Sequence, residues 1–501
     1  MANTLFDALF GRHLKNPAPF LFLPDGSKIS YSAFLGSVAQ IAHALGDLGV
    51  KPGDRVAVQA EKTPDFLALY AATTMTGSVF LPLNTAYTAD ELAYFLEDSG
   101  ARLFVCDAAK LAGLTPVAGG AGAKIIALSG EGSLVAAAAG KPDHFDVVER
   151  REDDLAAILY TSGTTGRSKG AMLTQRNLLS NALTLCDYWQ FSDGDVLLHA
   201  LPVFHTHGLF VATNVTLAAG SAMIFLPKFD LDAIFEHLPR ATAMMGVPTF
   251  YTRLLDDARL TRDAVSHMRL FVSGSAPLLA ETHIDFEART GHRILERYGM
   301  TETNMNTSNP YDGERRPGTV GFPLPGVELK ITDPSSGETL ADGEIGQIEV
   351  RGPNVFAGYW KMPEKTAEEL RADGFFITGD LGLIDDKGYV NIVGRNKDLI
   401  ISGGYNIYPK EIELLLDEQP GVLESAVVGV PHPDFGETVV GVLVAAPNQT
   451  PDCAAIMETV GKSLARFKHP RKLVVVDTLP RNTMGKVQKN VLREQYQSLF
   501  K

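Results

Sequence analysis

The 501-residue chain has little cysteine, and its cysteines form no recognisable pattern. Cys106, Cys186 and Cys453 stand far apart, with no CxxC or Cys/His spacing around them. An odd, sparse set of thiols argues against a disulfide framework or a structural zinc site and indicates a reducing compartment. The first twenty residues lack a basic lead-in, and Asp7 interrupts their apolar stretch. We therefore expect no signal peptide and a cytoplasmic protein.

Long uncharged runs are also scarce. Residues 208–226 carry no charge over 19 positions, but they contain Asn214, several hydroxyl residues and a central Ala-Ala-Gly. Such a segment is a weak candidate for a membrane span. The pattern instead predicts a buried helix, a glycine turn and a buried strand, and we expect no association with a membrane.

Positive charge is in short supply. The 45 Lys and Arg residues face 59 Asp and Glu residues, which leaves a net charge of −14. This negative net charge argues against a general nucleic-acid binder, because the affinity of such a protein depends on neutralising phosphates. With 45% apolar and 21% charged residues, the composition is that of an ordinary globular protein and excludes a disordered chain.

The length exceeds the roughly 250–300 residues that one hydrophobic core can serve, so several lobes are expected. Up to about residue 309, short apolar runs such as RVAVQ at 55–59 alternate with amphipathic stretches. This alternation predicts two α/β lobes built on parallel sheets. Turn dipeptides and short alternating strands then predict a small β-barrel-like lobe, and the last hundred or so residues predict a small α+β domain.

A loop rich in glycine and hydroxyl residues follows the apolar run at 155–159. It reads YTSGTTGRSKG from 160 to 170. Glycines allow the backbone to approach a phosphate closely, while hydroxyl groups and amides donate hydrogen bonds to it. The loop does not match the GxxxxGK[ST] pattern of P-loop enzymes. It predicts a phosphate-binding loop, with a flexible turn as the alternative.

Four more motifs follow in order: YGMTE at 298–302, TGD at 378–380, GR at 394–395 with KD at 397–398, and PRNTMGK at 480–486. Together with the loop, they resemble the superfamily of adenylate-forming enzymes over nearly the whole chain. This superfamily includes acyl-CoA synthetases, luciferases and the adenylation domains of peptide synthetases. The resemblance implies a large domain at 1–396, which binds ATP and a carboxylic acid, and a small mobile domain at 397–501, with Lys397 as the hinge.

The same resemblance implies a role for each motif residue. Lys486, Glu302 and Thr301 would be catalytic, and Glu302 and Thr161 would hold Mg²⁺. The implied ATP-binding residues are Thr161, Ser162, Gly163, Thr164, Thr165, Gly166, Lys169, Gly274, Ser275, Ala276, Pro277, Glu296, Arg297, Tyr298, Gly299, Met300, Asp380 and Arg395. The reaction joins a carboxylate to AMP from ATP, and a thiol then attacks the acyl-adenylate. Because both first reactants are anions, the site must supply positive charge.

The resemblance implies that Ser402, Gly403 and Gly404 line a thiol tunnel, and the two glycines leave room for a narrow pantetheine arm. No carrier domain follows the last motif, so we expect free CoA as the thiol. In related bacterial enzymes the lysine matching Lys486 is reversibly acetylated, which implies a lysine acetyltransferase and a deacetylase as partners.

The acid substrate is suggested by two basic residues near the motifs. Arg297 stands directly before the motif tyrosine, where many relatives have a small residue, and His207 follows Pro202 closely. A buried Arg and His without an acidic partner would be costly, and a second substrate carboxylate would supply that partner. The alternative is that Arg297 pairs with Glu296 or Glu328 and that His207 is a core histidine.

The segment ERYGMTETNMNTSNP at 296–310 closely resembles malonyl-CoA synthetases. The implied substrate is malonate, and methylmalonate is a second candidate acid. The resemblance implies that His207, Arg297 and Ser275 bind the substrate carboxylate. It also implies that Thr206 and Met305 limit the size of the acid. Three alternatives stay open: a CoA ligase for an aryl, medium-chain or other small dicarboxylic acid, a luciferase-like oxidase or carrier loader, and a non-catalytic binding module.

Overall fold

A computed structural model of the chain describes residues 3–161, 168–402, 405–482 and 485–500. The chain divides into two compact units. Unit 1 comprises Met1–Glu328 and Val350–Phe376, and unit 2 comprises Leu329–Glu349 and Ile377–Lys501. The multi-lobed α/β fold predicted from the sequence is confirmed.

The strands are β1 (Pro19–Phe22), β2 (Lys28–Ser30), β3 (Arg55–Gln59), β4 (Val79–Pro82), β5 (Leu103–Cys106), β6 (Lys124–Ala127), β7 (Leu155–Thr161), β8 (Lys169–Thr174), β9 (Val196–His199), β10 (Ala222–Phe225), β11 (Ala243–Gly246), β12 (Leu270–Ser273), β13 (Leu295–Met300), β14 (Asn304–Ser308), β15 (Phe322–Pro323), β16 (Glu328–Thr332), β17 (Gly346–Arg351), β18 (Phe376–Ile384), β19 (Val390–Arg395), β20 (Ile400–Ser402), β21 (Tyr405–Ile407), β22 (Val422–His432), β23 (Gly436–Ala445) and β24 (Lys472–Val476).

The α-helices are α1 (Thr4–Leu9), α2 (Tyr31–Asp47), α3 (Pro64–Met75), α4 (Ala89–Ser99), α5 (Ala108–Gly120), α6 (Leu134–Ala138), α7 (Gln175–Tyr188), α8 (Asn214–Ala219), α9 (Leu231–His237), α10 (Pro248–Leu255), α11 (Ala280–Thr290), α12 (Pro363–Glu369), α13 (Pro409–Asp417), α14 (Cys453–Ser463) and α15 (Lys489–Tyr496). Single 3₁₀ turns lie at Gly11–His13, Leu238–Arg240, Asp263–Val265, Asn396–Asp398 and Arg466–Lys468, and a π-helix spans His207–Thr213.

Unit 1 contains two sheets. Among the described residues, the strand order is β6-β5-β3-β4-β7-β8 in one and β15-β14-β13-β12-β11-β9-β10-β1-β2 in the other. The inner strands β3, β4, β5, β9, β10, β11 and β12 pair in parallel, as their alternation with helices predicts.

Helix α3 lies in the core between these two sheets. Thr63 caps its N-terminus and Pro64 occupies its first turn, and every residue from Phe66 to Met75 is buried. A helix that is apolar on all sides has to be covered on all sides. The ring of Tyr70 accordingly meets Phe80 of one sheet at 5.3 Å and Phe210, near the other sheet, at 5.8 Å between centroids.

Unit 2 contains the sheet β21-β20-β23-β22, with β24 pairing in parallel with β23, and most of the sheet β16-β17-β18-β19. The first of these is the α+β part predicted for the C-terminus. The second is the region where short alternating strands were predicted.

The uncharged run at 208–226 is interior structure. It forms most of the π-helix, then α8, a left-handed turn at Gly220 and the buried strand β10. The prediction of a buried helix, a glycine turn and a strand is therefore confirmed. In the described ranges no helix is long and apolar enough to cross a membrane.

Candidate active site

The acid-binding candidates gather where four neighbouring strands of the second sheet end. Because β9, β11, β12 and β13 run in parallel, their carboxyl ends meet at one edge. Clefts at such an edge are where α/β sheets bind ligands. Gly274 follows β12, Arg297 lies on β13, and His207 begins the π-helix after β9.

The Arg297 side chain is buried, with 3% of its surface exposed. Its guanidinium lies directly against the backbone of Gly274. A Cβ atom placed on Gly274 would stand 2.3 Å from the guanidinium carbon, so any other residue at 274 would collide with Arg297. Only glycine leaves space for this cation.

Arg297 has no acidic partner among the described residues. Its Nε and Nη2 donate no hydrogen bond, whereas Glu328 pairs with Arg351 and Glu296 accepts from the Leu278 amide at 3.3 Å. Burial lowers the pKa of Arg297 to about 9, opposed by the charges of Tyr251 and Glu296. Removal of the guanidinium from water is costly without a paired anion. The charge of Glu296 acts on Arg297, but among the described residues no ion pair joins Arg297 to Glu296 or to Glu328.

His207 lies beside this cation. Its Nδ1 is 3.1 Å from the Ser275 hydroxyl, and its buried Nε2 has no partner in the described part of the chain. Burial, followed by repulsion from Arg297 and His205, holds the pKa of His207 well below its usual value, so the ring is neutral near pH 7. When the Ser275 hydroxyl donates to Nδ1, Nε2 carries the proton and is free to donate to an acceptor.

Two features indicate that this group is built for a ligand. Ser275 has φ of 72°, a left-handed conformation that a serine adopts only under constraint. His205 lies close enough for the charge of Arg297 to act on it, and burial followed by that charge lowers its pKa to about 4. Nδ1 of His205 and the Thr206 hydroxyl are buried without a partner among the described residues. Several buried polar atoms that can donate a hydrogen bond are thus unpaired in the described part of the chain.

The position of Met305 is set by an asparagine of α7. The Asn181 amide donates to the Met305 carbonyl at 2.9 Å, and the Met305 N–H donates back to Asn181 at 3.3 Å. Asn354 donates a second hydrogen bond to the same carbonyl at 3.2 Å. Met305, 2% exposed, is thus held in place at the start of β14.

A second group of charged side chains surrounds Glu302, in the turn between β13 and β14. The Tyr359 hydroxyl lies 3.0 Å from Glu302 Oε1 and 2.6 Å from Glu369 Oε2. Lys169 donates to Glu369 at 3.1 Å and lies 4.0 Å from the centre of the Tyr359 ring. Lys169 and Glu302, predicted from separate motifs, are therefore linked through two residues that the sequence analysis missed.

Two paired strands flank the glycine-rich segment in the sequence. Thr161 ends β7 and lies opposite Lys169, the first residue of β8. The predicted residues Ser162, Gly163, Thr164, Thr165 and Gly166 lie outside the described residues, and their roles stay predictions. No sequence motif marked Tyr359 or Glu369, because their function depends on contacts with distant parts of the chain.

The other residues of unit 1 that were predicted to bind ATP lie in the loop after β12, on β13 and in the turn after β13. Ala276 and Pro277 follow Ser275 in the loop after β12. Tyr298, Gly299 and Met300 complete β13, and Thr301 begins the turn that carries Glu302. The roles of all these residues stay predictions.

Unit 2 brings together residues from three motifs. Asp380 on β18 lies opposite Arg395 on β19, and the Arg395 Nε donates to the buried Asp380 carboxylate at 2.8 Å. The ammonium group of Lys486 lies near both. Its pKa is lowered to about 8, mainly by burial and then by repulsion from Arg395, with Asp380 acting in the opposite direction.

The predicted hinge and tunnel residues are also in unit 2. Arg493 on α15 pairs with Asp398 and donates to the Lys397 carbonyl at 3.4 Å. Burial, then repulsion from Arg395, lowers the pKa of Lys397. Ser402 ends β20, whereas Gly403 and Gly404 lie outside the described residues.

Comparisons with known proteins identify the family of the chain. The model of the AMP-binding enzyme family matches residues 11–360, and that of the AMP-binding enzyme C-terminal domain matches residues 411–486. A malonate–CoA ligase of Arabidopsis thaliana is 36% identical, over 98% of this chain and 88% of that protein. A feruloyl-CoA synthase of an Amycolatopsis species is 35% identical, over 94% of each chain. The crystal structure of ATP-bound MatB from Rhodopseudomonas palustris is 57% identical, covers 100% of both chains and superposes with a TM-score of 0.97.

Proposed function

We propose that this chain, which belongs to the AMP-binding enzyme family, is an ATP-dependent acyl-CoA synthetase that acts on malonate. The reaction is malonate + ATP + CoA giving malonyl-CoA + AMP + diphosphate. The oxygen of one malonate carboxylate attacks the α-phosphorus and releases diphosphate. The CoA thiol then attacks the acyl carbon, releases AMP and loses its proton.

The observation that carries the choice of acid is the buried, unpartnered guanidinium of Arg297. Relatives act on acids as different as malonate and a feruloyl group, so family membership leaves the acid open. A fatty or aromatic tail would leave Arg297 uncompensated in an apolar site. A second carboxylate would accept from Nε and Nη2 together and from His207 Nε2, which pairs the charge and satisfies all three donors.

The adenylation step brings two anions together, and lysines of this chain would offset that repulsion. We assign Lys169 to the β- and γ-phosphates and Lys486 to the α-phosphate and the reacting carboxylate. Asp380, assisted by Arg395, would accept hydrogen bonds from the ribose hydroxyls. Fixed cations at the points where negative charge develops stabilise the transition state more than the ground state.

The oxygen donors near the phosphates suit Mg²⁺. A carboxylate from Glu302 and a hydroxyl from Thr161 are hard ligands, and Mg²⁺ in such sites keeps waters and substrate phosphates for the remaining positions. The described residues contain no group of three or more His, Cys, Asp or Glu side chains placed to hold a metal. The protein would therefore contribute few ligands, and the ion would supply charge neutralisation at the phosphates.

Three further assignments complete the proposal. The domain boundary lies at 396/397, with Lys397 as the hinge. Rotation about this hinge would move Lys486 away from the reacting groups once the adenylate has formed. Ser402 and the two glycines after it would then line the path of the thiol. Acetylation of Lys486 would remove the charge that adenylation needs. The three free thiols support a reducing compartment such as the cytoplasm.

The test is diphosphate release with a panel of acids, each measured with ATP, Mg²⁺ and CoA. We expect malonate to give the highest kcat/KM, followed by methylmalonate, with acetate, oxalate and a cinnamate far below. Stoichiometric AMP and acyl-CoA, formed without oxygen uptake or a carrier protein, identify the ligase. Preference for a monocarboxylic acid would contradict the assignment of Arg297.

Replacement of Tyr359 by phenylalanine is expected to raise the Mg²⁺ concentration needed for half-maximal activity. The hydroxyl contacts both Glu302 and Glu369, and a hydrogen bond to a charged group contributes about 1.5–3 kcal/mol, or roughly a tenfold effect or more. The measurement is the initial rate against Mg²⁺ at saturating ATP and malonate. Tyr31→Phe is the control, because the Tyr31 hydroxyl bonds only backbone carbonyls, at 2.6 and 3.4 Å, so that variant should keep the wild-type Mg²⁺ dependence.

A further inference from the structure

One buried lysine, Lys62, takes part in no step of the proposed reaction. Lys62 lies in the loop between β3 and α3, and only 7% of its surface is exposed. Its ammonium group donates to Nδ1 of His199 at 2.9 Å and to the His199 carbonyl at 2.8 Å. No carboxylate lies within ion-pair distance in the described ranges. A buried cation without an anionic partner lowers stability, so a role in stabilising the fold does not explain it.

The hydrogen bonds of His199 determine where its proton lies. His199 ends β9, and its Nε2 is 2.9 Å from the Gly208 carbonyl. A carbonyl oxygen only accepts, so Nε2 carries the proton, and Nδ1 has the lone pair that accepts from Lys62. Thr213 donates to the same carbonyl at 3.0 Å. Lys62 therefore selects the form of His199 that can hold Gly208.

Gly208 is the residue directly after His207, at the start of the π-helix. A Cβ atom on Gly208 would stand 1.9 Å from the Pro202 carbonyl oxygen, so the chain passes Pro202 at a distance that only glycine permits. Two contacts therefore fix the backbone next to His207. His199 binds the Gly208 carbonyl, and the Gly208 Cα packs closely against Pro202. The His207 ring then points to Ser275, with Nε2 free to donate.

We propose that Lys62 is a positioning residue for dicarboxylate recognition, which acts through His199 and Gly208 to hold His207 in its donating position. The connection joins the two sheets of unit 1, because Lys62 follows β3 of one sheet and His199 ends β9 of the other. This inference rests on the proposed malonate activity.

The experiment compares Lys62→Met, which keeps the length of the side chain, with Lys110→Met as the matched control. Lys110 also donates to a backbone carbonyl, that of Thr85 at 2.8 Å, but it lies on α5 away from β9. For Lys62→Met we expect the KM for malonate to rise about tenfold, with the KM for ATP within twofold of wild type, as the loss of one charged hydrogen bond implies. Lys110→Met should change neither constant.

The outcomes separate the two proposals. A wild-type protein that does not turn over malonate contradicts the proposed function and leaves nothing for Lys62 to position. If the wild type does use malonate, an unchanged malonate KM in Lys62→Met, or an equal rise in both KM values, overturns the role of Lys62.

A second measurement uses only the wild-type protein for its result and so does not depend on the folding of a variant. Nitrogen-15 NMR of labelled histidine reports which ring nitrogen of His199 carries the proton, with the signal assigned by its loss in His199→Gln. We expect a neutral ring protonated on Nε2 at pH 7. A proton on Nδ1 would show that Lys62 does not donate to it and would overturn the inference.

Discussion

Arg297→Met is expected to lower kcat/KM for malonate by about 10²–10³-fold without lowering the free energy of unfolding. The loss of activity follows from the removal of a buried charge from a pair with a substrate carboxylate, which costs about 2–5 kcal/mol or more. Stability is expected to stay the same or to rise, because the guanidinium is buried without an anion and methionine needs no hydrogen-bond partner.

The measurement combines steady-state kinetics over the acid panel with urea unfolding of the same variants. The control is Arg269→Met, because Arg269 does have a buried partner: its Nε and Nη2 donate to Asp195 at 2.6 and 2.8 Å. That change leaves Asp195 uncompensated, so we expect a clear loss of stability and an unchanged order of preference among the acids. A large loss of stability in Arg297→Met, with wild-type malonate kinetics, would contradict the proposed role.

Lys486→Met is expected to slow adenylation by about 10³-fold, because removal of one fixed charge at the developing negative charge typically costs 10²–10³-fold or more. The second half-reaction should respond differently. When malonyl-adenylate is supplied together with CoA, the rate of thioester formation should change by only a few fold. In this step the carboxylate and the α-phosphate are already joined, so no cation is needed to bring two anions together.

The same lysine predicts a dependence of adenylation on pH. The ammonium form of Lys486 is present below its pKa of about 8 and is lost as the pH rises through that value. Since the charged form is the one that assists the reaction, kcat/KM for ATP should fall above about pH 8. Lys486→Arg should move this decline to higher pH, because a guanidinium keeps its charge there.

Malonate-dependent exchange of labelled diphosphate into ATP, followed from pH 6 to 10, measures adenylation alone. Lys489→Met is the control, because Lys489 lies three residues away and pairs with Glu413 at 2.5 Å. This variant should keep both the rate and the pH profile of the wild type. Equal losses in both half-reactions of Lys486→Met would contradict a role confined to adenylation.

Much of the fold is readable from the sequence because local patterns decide it. The apolar run RVAVQ at 55–59 predicted a strand, and β3 has the same bounds. In the uncharged run at 208–226, Asn214 and the Ala-Ala-Gly break predicted a helix, a turn and a strand rather than a membrane span. These signals act over a few neighbouring residues, so they need no tertiary contacts to be recognised.

The family was predicted from five motifs, and the comparisons confirm it. The choice of malonate rests on Arg297 and belongs to the proposed function. Whether Arg297 is paired was a tertiary question. Glu296 is its chain neighbour and Glu328 was another acid in reach by sequence alone, yet neither forms an ion pair with it. Arg297 on β13 packs instead against Gly274, which follows β12, and only the tertiary structure brings these two residues together.

What the sequence by itself determined is the set of elements, the family and the identity of the residues that carry charge near the site. Only the tertiary structure decided which of those charges are paired. Lys169 pairs with Glu369, 200 residues away, whereas Lys62 donates to His199, and Nε and Nη2 of Arg297 have no hydrogen-bond partner among the described residues. The reason is physical: the free energy of a buried charge depends on every group that surrounds it, and those groups come from distant parts of the chain.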